Sequence, residues 1–245
     1  MNDVIQLLQS HRSIRKFTDQ GIEQSVVEEL IKAGQSAATS SFIQACTVIQ
    51  VSKGERRDRL AELANNQAYV ANAPVFLVFC ADMHRHKVAC EQHDAEMLSG
   101  FTEQFLTASV DVALFAQNVV VAAESLGLGI CYIGALRNKI DAVADLLELP
   151  DLVYPVFGLC LGYPAQNPEV KPRLPVSVVL KQERYNEEGN IESLASYDAH
   201  VNAYYRSRSE TQKNLTWTGQ IAGMLQKEAR PHMLKFLKEK GFLLR

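Results

Sequence analysis

Residues 110–134 read VDVALFAQNVVVAAESLGLGICYIG. The first part has helical length and is apolar on almost every side. Asp111, Gln117, Asn118 and Glu124 only interrupt it. A helix without a polar face is buried all round, either in the centre of a large core or in a subunit interface. The same interruptions make residues 108–136 a poor membrane span. Two glycines then lead into a short β-rich run over 128–134. The stretch therefore predicts a buried helix feeding a strand, and so a sheet covered by helices.

The flanking sequence extends this pattern. PVFLVFCA (74–81) and VYPVFGLCLG (153–162) are short apolar runs expected of fully buried strands. TVIQVS (47–52) reads as a further strand. Ser25 and Glu28 have capping-box spacing and predict a helix over 25–37. ERRDRLAELA (55–64) reads as an exposed helix, and 91–126 as a long helical zone weakened at Ser99-Gly100. KIDAVADLLEL predicts another helix. Prolines 164, 168, 172 and 175 make the following stretch an extended connection. Helical patterns return at 197–208, 216–230 and 231–241. Strands alternating with helices imply a layered fold with an internal sheet.

The totals limit the functional classes. The chain has 245 residues, 47% of them hydrophobic, which is enough for a substantial core. A net charge of -3 gives no pull toward nucleic acid or a membrane surface. Five cysteines without a CxxC pair read as a reduced, cytoplasmic pattern, with Cys80, Cys131 and Cys160 as small buried hydrophobes. The N-terminus is too polar for a signal peptide.

Against this acidic background HRSIRK (11–16) gathers His11, Arg12, Arg15 and Lys16. KPRLP (171–175) sets Lys171 and Arg173 between prolines, on one side of an extended backbone. Each cluster alone reads as surface charge. Together they suggest one shared anionic ligand such as a phosphate. ATSSF (38–42) offers three hydroxyls, either a solvated helix end or an edge that bonds a ligand ring. Gly127 and Gly129 begin a dinucleotide fingerprint, but Tyr132 stands where its third glycine belongs. These glycines serve a plain turn or a close approach to something flat. His84, His86, Cys90 and His93 match no familiar zinc spacing and read as a solvent-facing helix start. No nucleophile elbow is present.

HRSIRKFTD, ATSSFIQA, NNQAYV, FAQNVVVAAESLGLGICYIG, VFGLCLGYP and KPRLP, in this order, resemble the FMN-dependent nitroreductase family. The likeness is greatest to its branch of oxygen-insensitive NADPH nitroreductases and NADPH–flavin oxidoreductases. It implies an α+β fold of three layers (α/β/α), with a mixed, mostly antiparallel sheet flanked by helices. It implies one FMN-binding domain over 1–245 in an intertwined homodimer, with helix 105–126 at the dimer core and 176–245 as an extension packing on the partner. By resemblance, His11, Arg12, Ser13 and Arg15 hold the FMN phosphate and ribityl end. Lys171 and Arg173 complete that site. Thr39, Ser40 and Ser41 lie beside the flavin, Gln67 near its polar edge, and Tyr132, Ile133 and Gly134 along its ring. Phe42 and Arg230 are candidates for holding the substrate, with core packing the alternative for Phe42. Arg208 and Lys213 are candidates for the NADPH 2′-phosphate, with NADH a possible second donor. The branch commonly has serine at Thr39 and a second glycine at Ala135. The implied chemistry is two-electron ping-pong hydride transfer through flavin N5, to nitroaromatics, quinones or free flavin. The alternatives are a flavin reductase serving a monooxygenase and a flavin-binding sensor without turnover. No metal, nucleic acid or membrane enters this expectation.

Overall fold

The computed structural model describes residues 2–208 and 214–245. The chain forms two compact units, Met1–Pro168 with Arg230–Arg245, and Glu169–Ala229.

The first unit contains helices α1 (Asp3–Gln9), α2 (Gln24–Gln35), α3 (Glu55–Leu63), α4 (Ala68–Asn72), α5 (His84–Glu91), α6 (Thr102–Ser125) and α7 (Ile140–Leu146). Its strands are β1 (Cys46–Gln50), β2 (Val75–Asp82), β3 (Gly129–Ile133) and β4 (Val153–Gly162), ordered β1-β2-β4-β3 with every neighbour antiparallel. The expected mixed sheet is antiparallel throughout its four strands, and an isolated parallel bridge outside them joins Ser13 to Ile130. All eight residues of β2 are buried, which explains its apolar run from Val75 to Ala81 before the buried Asp82. Along β2 the side chains alternate between faces. Phe79 meets Phe115 of α6 at 6.1 Å between ring centres. Phe76, on the other face, lies 5.6 Å from the Arg57 guanidinium of α3. Helices therefore cover both faces of the sheet. The second unit holds α8 (Val176–Val179), α9 (Asn190–Arg208) and α10 (Trp217–Leu225). Tyr197 packs edge-on against Trp217, and Asp198 Oδ1 accepts the Thr218 N–H at 3.0 Å. Helix α11 (Met233–Glu239) belongs to the first unit, with Phe236, Leu237 and Phe242 in its core.

Several expectations change. Helix α2 starts at Gln24 with Glu23 in the cap position and no side-chain cap, so Ser25 and Glu28 form no capping box. The Glu23 carbonyl already accepts the Val26 and Val27 amides, which places Ser25 inside the first turn. The zone 91–126 is not one helix. It breaks after α5, and the Gly100 carbonyl accepts the Leu244 and Arg245 amides from the C-terminus. Helix α6 is not buried all round in the single chain. Ala108, Asp111, Val112, Ala116, Val119, Val120 and Ala123 face the core, while Leu106, Val110 and Leu114 are exposed. By length and composition α6 could cross a membrane. Helix α9 starts at Asn190, ahead of the expected 197.

Helix α3 is amphipathic rather than exposed. Arg57, Leu60, Ala61 and Leu63 are buried, and Arg57 is only 1% exposed. Its guanidinium donates to the carbonyls of Val70 (2.8 Å) and Ala73 beside α4. Burial holds its pKa below the usual arginine value. All five cysteines are free thiols. Burial pushes Cys46 up to about 12 and raises Cys80, Cys131 and Cys160 as well, so none of these four is an activated nucleophile.

Candidate functional site

The cationic segment after α1 lies along the edge of the sheet. The Ile14 N–H donates to the Ile130 carbonyl at 2.8 Å, and Thr18 N–H to Tyr163 at 2.9 Å. Gly129 makes this approach possible. A Cβ there would lie 2.6 Å from Ile14 Cγ1. Gly127, with φ +75, turns the chain out of α6. The two glycines thus serve a turn and a backbone contact.

The members of the segment differ in their partners. His11 Nδ1 lies 2.6 Å from Glu124 Oε1. Arg12 donates to Asn167 Oδ1 at 2.7 Å and to the Ser10 carbonyl at 3.1 Å. Arg12 and Glu124 line a cavity of about 680 Å³ together with Gly127, Leu128, Gly129 and Gln166. Arg15 is exposed and lies 6.0 Å from the Tyr69 ring centre. Burial raises the Tyr69 hydroxyl, and Arg15 opposes that rise. No carboxylate pairs with Arg15 among the described residues.

Gln67 is the N-cap residue of α4, and its side-chain Oε1 is buried without a partner among the described residues. Thr39 Oγ1 is likewise buried and unpartnered among them. Such groups are costly unless something bonds them. The loop after α2 makes a 3₁₀ turn at Ser40–Phe42, with Ser41 left-handed at φ 48. Phe42 is 81% exposed, which rules out core packing within the chain.

Tyr132 and Ile133 end β3. Tyr132 packs edge-on against Phe157 at 5.0 Å, and its hydroxyl, raised by burial, reaches Gln117 Oε1 at 3.5 Å. From Gly134 the chain enters a 3₁₀ segment, Gly134–Lys139. Arg230 donates to Asn138 Oδ1 at 2.8 Å and to the Gly134 carbonyl at 3.3 Å. Arg137 lies against Gly134 as well, since a Cβ there would be 3.3 Å from its Nη2. Arg137 also donates to the Val156 carbonyl. Val156 is the extra residue where the β2–β4 register shifts, so the guanidinium satisfies a carbonyl left over by the bulge. Burial, and then Arg230, hold the Arg137 pKa down. Neither arginine forms an ion pair among the described residues.

Lys171 and Arg173 are exposed residues of the second unit. Lys171 Nζ lies 5.2 Å from the Tyr205 ring centre, and Tyr197 donates to the Pro172 carbonyl between them at 3.0 Å. Arg208 is the last residue of α9, and Lys213 lies outside the described residues. His86 of α5 bonds the Ile43 carbonyl. Tyr69, Asp111 and Arg137 contact the candidates Arg15, Ser40 and Gly134 without having been proposed as site residues from the sequence. Arg137, three residues past Gly134, is a cation close to a suspected ligand segment, a signal that could have found it.

A model of the nitroreductase family matches residues 8–163, and one of the nitroreductase family C-terminal domain matches 171–245. The NADPH-flavin oxidoreductase of Vibrio harveyi is 45% identical and covers all of both chains. The FMN reductase (NADPH) of Bacillus subtilis is 42% identical over 99% of each. The solved structure of the Vibrio harveyi NADPH:FMN oxidoreductase, complexed with NAD+, superposes with a TM-score of 0.91 at 43% identity, covering 100% of both chains.

Proposed function

The chain belongs to the nitroreductase family, and from that premise we propose that it is an FMN-dependent NADPH oxidoreductase. Its oxidants in this reading are nitroaromatics, quinones or free flavin. The observation that carries the reading is a mismatch of partners. Among the described residues Arg15 has no carboxylate, and Gln67 Oε1 and Thr39 Oγ1 are buried with no hydrogen-bond partner. These residues suit a ligand with an anionic end and a polar ring edge, and FMN has both.

His11, Arg12, Ser13 and Arg15 would hold the phosphate and ribityl end, with Lys171 and Arg173 supplying further positive charge. Thr39, Ser40, Ser41 and Gln67 would bond the polar edge, and the Tyr132–Gly134 backbone would lie along the ring. FMN bound there supplies a hydride acceptor for NADPH and a two-electron donor for the oxidant. Around it the chain binds and orients. Arg137 and Arg230 place unbalanced positive charge at the end of β3, which favours electron-rich groups there. Phe42 offers an aromatic face to the ring of the oxidant. No protein acid or base is required.

Two copies act together in this reading. Leu106, Val110 and Leu114 on α6 form an exposed apolar face, and Val176, Val179, Leu180 and Ile191 of the second unit are exposed too. Apolar surface of this extent calls for cover. In this reading the extension over 176–245 packs on the partner, apart from α11, whose Phe236 and Leu237 lie in the core of the first unit. With five free cysteines, the reducing cytoplasm is the compartment that suits it.

Steady-state kinetics test the proposal. Varying NADPH at several nitrofurazone concentrations is expected to give parallel double-reciprocal lines, and intersecting lines would rule out ping-pong exchange. Rates with free FMN in place of nitrofurazone show which oxidant is preferred. Arg208→Ala is expected to raise KM for NADPH about tenfold through loss of a charge-assisted phosphate contact. KM for NADH should move less than about twofold. Equal shifts would remove Arg208 from 2′-phosphate recognition.

A further inference from the structure

The loop 39–45 joins α2 to β1 and carries Phe42. Ser41, Phe42 and Gln44 are left-handed, with φ of 48, 59 and 54. Residues with side chains keep that conformation only where their surroundings enforce it. Two groups do so here. Asp111 of α6, 1% exposed, accepts the Ser40 N–H on Oδ1 at 3.3 Å and the Ala45 N–H on Oδ2 at 3.1 Å. One carboxylate therefore ties both ends of the loop to one helix. His86 of α5 meets the Ile43 carbonyl through Nε2 at 2.6 Å and ties down the middle. A carbonyl only accepts, so Nε2 carries the hydrogen, and Nδ1 is buried without a partner among the described residues.

The chemistry of Asp111 supports this role. No ion pair reaches it among the described residues. A buried carboxylate without a counter-ion is costly, and its two backbone amides are what it holds. Sequence position would not suggest either clamp. Asp111 interrupts an apolar helix, and His86 lies in a histidine-rich stretch without metal spacing.

We propose that Asp111 and His86 are positioning residues that clamp loop 39–45 and so present Phe42, already ordered, to the ring of the oxidant. The proposal deepens the functional reading above and rests on Phe42 touching that ring. A pre-ordered loop spares the ordering cost that a loose one incurs on binding. Loosening it raises the oxidant KM more than it lowers kcat.

The test uses the holoenzyme and two readouts. Nitrofurazone kinetics are measured for F42A, H86A, H86Q and the double variant H86A/F42A. Hydrogen–deuterium exchange is followed in a peptide spanning the loop, for H86A and D111N. F42A is expected to raise the nitrofurazone KM about tenfold, and H86A about fivefold. The glutamine amide nitrogen reaches about as far as imidazole Nε2, so H86Q restores KM to within about twofold of the parent enzyme. The double variant matches F42A alone, because His86 acts through Phe42. Loop exchange speeds up in both H86A and D111N. A full His86 effect on top of F42A overturns the proposal, and so does loop exchange unchanged in both clamp variants. F42A without effect on KM overturns the Phe42 contact, and the proposal with it; the exchange data then still decide whether the clamp exists.

Discussion

Replacing Arg15 by alanine is expected to weaken FMN binding about thirtyfold. A charge-assisted contact to phosphate contributes about 2 kcal/mol, and each 1.4 kcal/mol is about a tenfold change in affinity. Arg15 is chosen over Arg12 for a structural reason. Arg12 already donates to Asn167 and Ser10, whereas Arg15 contacts Tyr69, at its ring and its hydroxyl, and pairs with no carboxylate among the described residues. Its charge is therefore available to a ligand. Fluorescence titration of the flavin-free protein with FMN measures the effect, and absorbance after exhaustive dialysis gives an independent check. Arg15→Lys keeps the charge but loses the fork that grips a phosphate through two nitrogens, so it should fall between the parent and alanine. Holoprotein that survives dialysis unchanged in Arg15→Ala would remove Arg15 from the phosphate site.

The second large effect concerns stability. Arg57→Met should destabilise the first unit by about 3 kcal/mol, because the carbonyls of Val70 and Ala73 lose their donor in a place water does not reach. Two effects oppose each other here. Removing the guanidinium relieves the burial that already depresses its pKa. It also strands two acceptors beside α4 and removes the cation from the Phe76 ring. The stranded acceptors win, since methionine fills the volume but donates nothing. At about 2–4 °C per kcal/mol for a chain of this size, the melting midpoint should fall by about 9 °C. Arg57→Lys should fall as well, because one ammonium cannot reproduce the guanidinium's paired geometry. Parent-like melting of Arg57→Met would show that the carbonyls find other partners.

Arg57 also shows where sequence reading loses its grip. ERRDRLAELA looks exposed because charges dominate it. Yet Arg57 shares a helical stripe with Leu60, Ala61 and Ala64, and that spacing holds the information that it turns inward. The strands were far easier to read. VYPVFGLCLG is the observed β4, and 74–81 lies within one residue of β2, because fully buried strands carry unbroken apolar runs bounded by turns. The start of α9 was missed by seven residues, although Ile191, Leu194 and Ala195 already stand at helical spacing. Helix α6 was legible as apolar but not as one-sided. Composition cannot distinguish a side chain facing this chain's core from one facing outward.

The site divides in the same way. The cations of HRSIR were visible as a cluster, and their chemistry follows from residue type. Their different partners were not visible, because Glu124 and Asn167 lie more than 100 residues away in sequence. Arg137 depends on the bulge that frees the Val156 carbonyl, and no local pattern announces that bulge. Asp111 looked like a flaw in an apolar helix, and its meaning lies in two amides of another loop.

The most direct test of the central claim is an anaerobic absorbance titration of the purified protein with NADPH, followed by a nitroaromatic. The account predicts an oxidised flavin spectrum that NADPH bleaches stoichiometrically and the nitroaromatic restores. A flavin spectrum that NADPH leaves unbleached would contradict the enzyme reading, and a protein that stays colourless with added FMN would contradict the cofactor site itself.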